Sequence, residues 1–459
     1  MHLIILPTVR WMASRTKLLR KIVLLLVVAA GTALETHAYS VLSHEEVVDL
    51  CWDTTIRPAL LRRFPRSTVD EIKTAHAYAY GGSVIQDIGY YPFGSHEFTN
   101  LLHYIRTGDF VDHLVRDSSN INEYAFALGA LAHYVSDSWG HPAVNGSVPI
   151  EYPKLKKKYG KVVTYEDNPE AHLKTEFSFD VVQVAKGRYT AKQYHDFIGF
   201  EIAQNLLERA FQETYGIQLS EFLHNEELSI GTFRFAVSQV IPEMTKVALA
   251  SRDHQHLEEK KDPARSEFLF HLSRADYKKQ FGSDYQRPGF FARSLAFLFK
   301  LIPKFGPLKA LQYKDPTPQT EDLYIKSMDN VVRIYRQQVQ DIDQGDSDLP
   351  DRNLDTGNLT EPGHYKLADD AYSELVILLA KNNFAGVTAG LRENILQYFS
   401  GYDTRLSMKQ GQWKQTEEAL QQLKNANPPS TAAPKESLLP GSKERDAASR
   451  GYLISAEGR

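Results

Sequence analysis

The sequence predicts an all-α protein, and two observations carry that expectation. Apolar residues recur at three- and four-residue spacing in Tyr124 to Val135, Phe197 to Phe211 and Val331 to Val339, the period of a helix with one face buried. Alternation of apolar and polar residues, the mark of a half-buried strand, is scarce. The composition is 42% hydrophobic and 24% charged with a formal net charge of −4, which supplies a core and offers no excess of positive charge to a nucleic-acid backbone.

From the amino terminus, Arg15, Lys17, Arg20 and Lys21 precede an apolar run from Ile22 to Ala30 that continues through Gly31 and Thr32 to Leu34. That is the outline of a signal peptide, and the run falls short of the roughly 20 residues of a spanning helix. Cleavage after Thr36-His37-Ala38 leaves Tyr39 as the mature amino terminus of an exported protein, periplasmic or secreted; an uncleaved anchor is the competing expectation. Cys51 is the only cysteine, so stability rests on the core or on bound metal rather than on an internal disulfide. Residues 39–340 form the expected main domain, residues 341–424 a helical extension, and residues 425–459 a polar tail whose composition predicts disorder.

Within the main domain, Ala127 to Ser138 is predicted helical, which sets His133 and Asp137 one turn apart on one face. Leu128, Leu131 and Ala132 draw that face toward the interior, where a carboxylate and an imidazole need partners. Such a pair can grip a metal ion. His141 falls just past the expected helix end, beside Pro142, and His172 and Glu176 repeat the four-residue spacing. One pair alone reads as an ordinary i,i+4 pair on a helix surface. Two pairs, with His44, Asp87 and His103 upstream, point to metal, and imidazole with carboxylate points first to zinc.

Asp341 to Gly363 is acidic and rich in turn formers, but Gly345 and Arg352 stand where a calcium loop needs an oxygen ligand and its closing glutamate, so a solvated linker is expected. Helices are expected at Ala371 to Ala380 and Ala385 to Phe399.

From Tyr39 to Asp180 the residues resemble the zinc-dependent phospholipase C family, which is related to the fungal single-strand-specific nucleases. The segments that carry the likeness are YSVLSH from Tyr39, SVIQDIGYYP around Asp87, HYIR from His103, HYVSDSWGH from His133 and EAHLKTEF from Glu170. The last three are similar to the amino-terminal catalytic domain of glycosylphosphatidylinositol-specific phospholipase D. The resemblance implies three zinc ions. Asp87, His103, His133 and Asp137 hold the first, with Asp137 bridging to a second held by His44 and the main chain of Tyr39, while His141, His172 and Glu176 hold the third. It also implies hydrolysis of phospholipid phosphodiesters by a zinc-bound hydroxide, with Asp137 and Asp87 at the catalytic centre and Asp87 either a ligand or a proton acceptor.

C-type cleavage leads, and D-type cleavage stays open. A nuclease of the same metal architecture is the enzymatic rival, opposed by Glu176 where those nucleases carry Asp. A noncatalytic zinc-stabilised lipid-binding module is the other, opposed by ligand sets that leave positions open for water.

Three departures from the family pattern stand out: Tyr39 in place of Trp, the short interval from Asp137 to His141, and the basic run Lys154 to Lys158, expected as an inserted loop. His96 competes with His103 for the place after Asp87, and the HYIR context favours His103. His113 is expected to face solvent or core, and His254 and His256 a solvated face. Tyr285 to Lys314, basic and rich in Phe, is either a peripheral contact with an anionic bilayer or a core helix broken at Pro303.

Overall fold

A computed structural model describes residues 41–91, 93–185, 200–223, 226–235, 313–346, 348–400 and 408–426. The signal-like segment, Tyr39, His254, His256, most of Tyr285 to Lys314, and the tail beyond residue 426 lie outside the described residues.

Helices build the described chain. They are α1 (Val41–Cys51), α2 (Arg57–Arg63), α3 (Val69–Val84), α4 (His96–Tyr104), α5 (Thr107–Asp117), α6 (Ile121–Glu151), α7 (Pro153–Tyr159), α8 (Pro169–Ala185), α9 (Gln204–Tyr215), α10 (Glu226–Phe235), α11 (Pro318–Asp343), α12 (Lys366–Lys381), α13 (Ala389–Tyr398) and α14 (Gln410–Asn425). A 3-10 helix, Ile85–Tyr90, follows α3 directly. Among the described residues there is no strand, only one isolated bridge between Arg352 and Leu359. The all-α expectation therefore holds.

Helix α6 is the axis of the fold. Asn120 starts it by accepting hydrogen bonds from the backbone N–H groups of Asn122 and Glu123. Every residue from Tyr124 to Ser138 is buried, as expected of a helix covered on all sides. Helices α3 and α11 make its most extensive contacts. Small residues let α3 come close: a Cβ on Gly82 would stand 2.0 Å from the carbonyl oxygen of Phe126, and one on Gly129 would stand 2.1 Å from that of Ala79. Backbone thus packs on backbone where α3 crosses α6, and the carbonyl of Ser83 is brought to the face that carries His133. On the other side Tyr335 of α11 donates its hydroxyl hydrogen to the carbonyl of Leu128 at 2.9 Å.

Four expectations need correction. Helix α6 does not end near Ser138 but runs through Pro142 and Pro149 to Glu151. A proline inside a helix leaves the carbonyl four residues earlier without its N–H partner. For Pro149 that carbonyl is Asn145, and the backbone N–H of Val163 supplies the missing bond at 3.0 Å. For Pro142 it is Ser138, against which Gly357 packs with φ +72 so closely that a Cβ would fall 2.1 Å from the oxygen.

The lysine run forms the exposed helix α7 rather than a loop, with Pro153 at its first turn. Residues 200–203 form no helix, and the helix expected from Phe197 begins, within the described residues, only at Gln204. The backbone there is taken by α3, whose Ala77 carbonyl accepts the N–H of Glu201. Lastly, the acidic linker is not solvated throughout: Asn353, Leu354 and Asp355 are buried against α4 and α6. Asp351 anchors this stretch by accepting the N–H groups of Gly108 and Asp109 in the first turn of α5.

Candidate metal centre

Eight of the nine candidate ligands fall within the described residues, and all eight converge. Helix α1 presents His44, the 3-10 helix Asp87, α4 His103, and α8 His172 and Glu176. Because α6 continues through Pro142, it presents His133, Asp137 and His141 on three successive turns of one face. None of the eight is more than 3% exposed.

Asp137 lies at the middle. Its Oδ2 is 3.1 Å from His133 Nε2 and 3.4 Å from His103 Nε2, while its Oδ1 is 3.4 Å from His44 Nε2 and 3.7 Å from His141 Nε2. Asp87 Oδ1 stands 3.3 Å from His103 Nε2 and 4.0 Å from His133 Nε2. On the far side Glu176 Oε1 is 2.7 Å from His172 Nε2 and 3.3 Å from His141 Nε2. Three sets have donor atoms all within 4.8 Å of one another: His44 with His133 and Asp137, Asp87 with His103 and His133, and His141 with His172 and Glu176.

Backbone carbonyls decide which nitrogen each imidazole turns inward. His103 Nδ1 donates to the carbonyl of Thr99 at 2.9 Å, His133 Nδ1 to that of Ser83 at 2.9 Å, and His141 Nδ1 to that of Leu354 at 2.7 Å. A carbonyl can only accept, so Nδ1 carries the proton and Nε2 is left as the inward donor atom. His44 and His133 stack with ring centroids 4.2 Å apart, which keeps both rings edge-on to Asp137.

Charge in the cluster is finely opposed. Burial pushes the Asp137 carboxyl upward, but His133 and His141 outweigh it and hold the group well below the usual carboxylate range. Burial also pushes Glu176 upward, and His172 and His141 bring it below its ordinary value. For Asp87 burial prevails over the pull of His133, and the carboxyl sits above its ordinary value. Burial lowers His44, reinforced by His133, so that imidazole is neutral. Against burial, Asp137 and Asp87 raise His103, while Asp137 and Glu176 raise His141 to about 10. A cation bound at these groups would displace any proton on the ligating nitrogens.

The residues fit a set of divalent cations by this chemistry. Both carboxylate oxygens of Asp87 and of Asp137, and Nε2 of His103 and His133, are buried and make no aligned hydrogen bond, though they lie within ion-pair reach of one another. Buried polar atoms left so cost on the order of 1–3 kcal/mol each, more when charged. A cation at each set would satisfy them together.

Other described histidines lie elsewhere. His96, the rival to His103, starts α4 with its ring 5.7 Å from that of Tyr90 and joins none of the three sets. His76 pairs with Asp49 at 3.2 Å beneath the indole of Trp52. His113 donates from Nδ1 to the hydroxyl of Thr214 at 2.7 Å.

Two contributions escape a reading of the sequence alone. Asp180 lies one turn beyond Glu176 on α8 and accepts the N–H of Leu42 and the hydroxyl of Ser43, fixing the start of α1 beside His44. The stretch Asn353 to Asp355 meets His103 and His141 from far along the chain. For Asp180 the four-residue step from His172 through Glu176 is a usable signal; for Asp355 no spacing marks it among its acidic neighbours.

Residues 43–224 match the family model described as zinc-dependent phospholipase C. No curated protein and no solved structure matches the chain. The matched stretch contains all eight converging residues, from His44 to Glu176, in the order in which the helices bring them together. Over residues 43–224, the chain is thus similar to the zinc-dependent phospholipase C family.

Proposed function

We propose that the protein hydrolyses phospholipid phosphodiesters in the C-type sense, releasing diacylglycerol and a phosphorylated headgroup. The observation that carries this is the convergence of eight buried imidazole and carboxylate groups inside the segment that matches the family. Zinc held by these groups would supply Lewis acidity and a water acidified to a pKa of about 7.

The chain's own residues do the rest. Asp137 turns one oxygen to His133 and His103 and the other to His44 and His141, which makes it the bridging group between donor sets. Asp87, raised by burial, is the carboxyl best suited to take up or hold a proton beside His103. The carbonyls of Thr99, Ser83 and Leu354 keep three imidazoles from rotating, so the donor geometry exists before substrate arrives. The proposal includes three ions, Tyr39 as a further ligand through its main chain, and action outside the cytoplasm after cleavage at Ala38. Asp180 supports the Tyr39 assignment, because it anchors the chain at Leu42 and Ser43.

One preparation of the full chain decides among the outcomes. Its mature amino terminus is sequenced, its zinc counted, and its activity assayed on phosphatidylcholine, phosphatidylinositol and single-stranded DNA. Diacylglycerol and a phosphorylated headgroup are expected. Phosphatidic acid would replace the proposal by D-type cleavage, and turnover of DNA alone would replace it by a nuclease.

A further inference from the structure

The backbone of Leu354 touches two of the converging groups at once. Its N–H donates to the carbonyl of His103 at 2.9 Å, and its own carbonyl accepts from His141 Nδ1 at 2.7 Å. The next residue, Asp355, is 2% exposed, and its carboxylate is held rather than free to swing. Tyr104 and Tyr365 donate their hydroxyl hydrogens to Oδ2 at 2.8 and 2.6 Å, which leaves Oδ1 3.9 Å from His141 Nδ1. The backbone carbonyl of Asp355 accepts from the side-chain amide of Asn145, one turn beyond His141 on α6.

This strap is anchored at both ends. Asp351 holds it to the start of α5, and Thr107 both accepts the N–H of Arg352 and donates to the carbonyl of Arg352. After Asp355, Gly357 seats against the Ser138 carbonyl, where no side chain would fit. None of these strap residues belongs to the stretch that matches the family, which ends at residue 224.

We propose that the strap Asn353 to Asp355 is a working part of the metal centre, with Asp355 a positioning residue that sets how tightly the His141, His172 and Glu176 group holds its ion. The proposal rests on the metal-binding part of the function proposed above. The physical cause is general: a ligating imidazole is oriented and made more basic by what its other nitrogen faces, and here that is a carbonyl backed by a carboxylate. The matched segment therefore supplies the donors, and the later part of the chain supplies the orientation of one of them.

The test counts zinc and does not depend on the substrate. The full chain, as wild type, Asp355→Asn and Tyr365→Phe, is loaded with zinc and titrated with a chelator, while the melting temperature of each metal-free form is recorded. One zinc equivalent is expected to leave Asp355→Asn at about 10- to 100-fold weaker chelation than in the wild type. The other equivalents and the metal-free melting temperature are expected to stay as in the wild type. Tyr365→Phe, which keeps the carboxylate and removes one of its donors, should shift the same equivalent by less, and it carries the test if Asp355→Asn does not fold. Release curves that match the wild type would overturn the proposal. So would loss of all equivalents together with a fall in the metal-free melting temperature, because the strap would then only hold the fold. A wild-type chain that retains no zinc would instead overturn the metal assignment, and the strap's role with it.

Discussion

Asp137 on α6 and His44 on α1 face one another at 3.4 Å between Oδ1 and Nε2, with neither side chain exposed to solvent. The contact ties the first described helix to the axis of the fold through a carboxylate whose other oxygen serves His133 and His103. Replacement of Asp137 by Asn keeps the shape and removes the charge. Asp137→Asn is expected to lower activity by about 100-fold or more, as when a charge-stabilising group is lost from a buried site, and to lower zinc content as well. Metal analysis and a phospholipase assay on the same sample check this, and full zinc with full activity would sink the bridging role.

The crossing of α3 on α6 sets the place of His133, because the Ser83 carbonyl that orients its ring belongs to α3. Gly129→Ala would put a methyl group 2.1 Å from the Ala79 carbonyl oxygen and force the helices apart. A stability loss of about 1–3 kcal/mol is expected, the usual cost of overpacking, together with weaker zinc retention. Denaturant melts and zinc analysis of wild type and variant measure both, and a variant as stable as the wild type would show that the helices do not need this contact.

His113 makes the acid limb of the stability curve testable away from the metal centre. Burial lowers its pKa to about 4, helped by Arg116 and Arg106, although Glu213 lies 3.9 Å from Nε2 and Asp109 and Asp117 pull the other way. The unfolded chain, with His near its ordinary 6.5, then binds the extra proton first as pH falls. Stability from this group is complete above pH 6.5 and is lost as pH drops through 4, by up to about 3 kcal/mol. His113→Gln, compared with wild type in metal-free melts between pH 7 and 4, should flatten that loss. An unchanged slope would mean that His113 is not held neutral.

How much of this was legible in the sequence follows the range of the interactions. The pairs His133 with Asp137 and His172 with Glu176 could be read because a helical turn is a local property. The continuation of α6 could not, since Pro142 and Pro149 are stop signals unless something distant takes over the stranded carbonyls. Val163 does so for Asn145, and its N–H lies beyond the helix in a different segment. With that, His141 moved from the end of a helix to the same face as His133. The strap was the least legible part: it is written in turn-forming residues, and its partner His141 is 213 residues away from Leu354. Only the folded chain shows that Asn353 to Asp355 are buried.

The role proposed for the buried groups from His44 to Glu176 is to hold zinc for phosphodiester hydrolysis. The most direct measurement follows diacylglycerol release from phospholipid vesicles by the purified full chain before chelation, after chelation, and after zinc is returned. Release is expected to stop when metal is withdrawn and to resume when zinc is restored. Release that continues undiminished in the chelated protein, or none from a fully zinc-loaded one, would contradict that role.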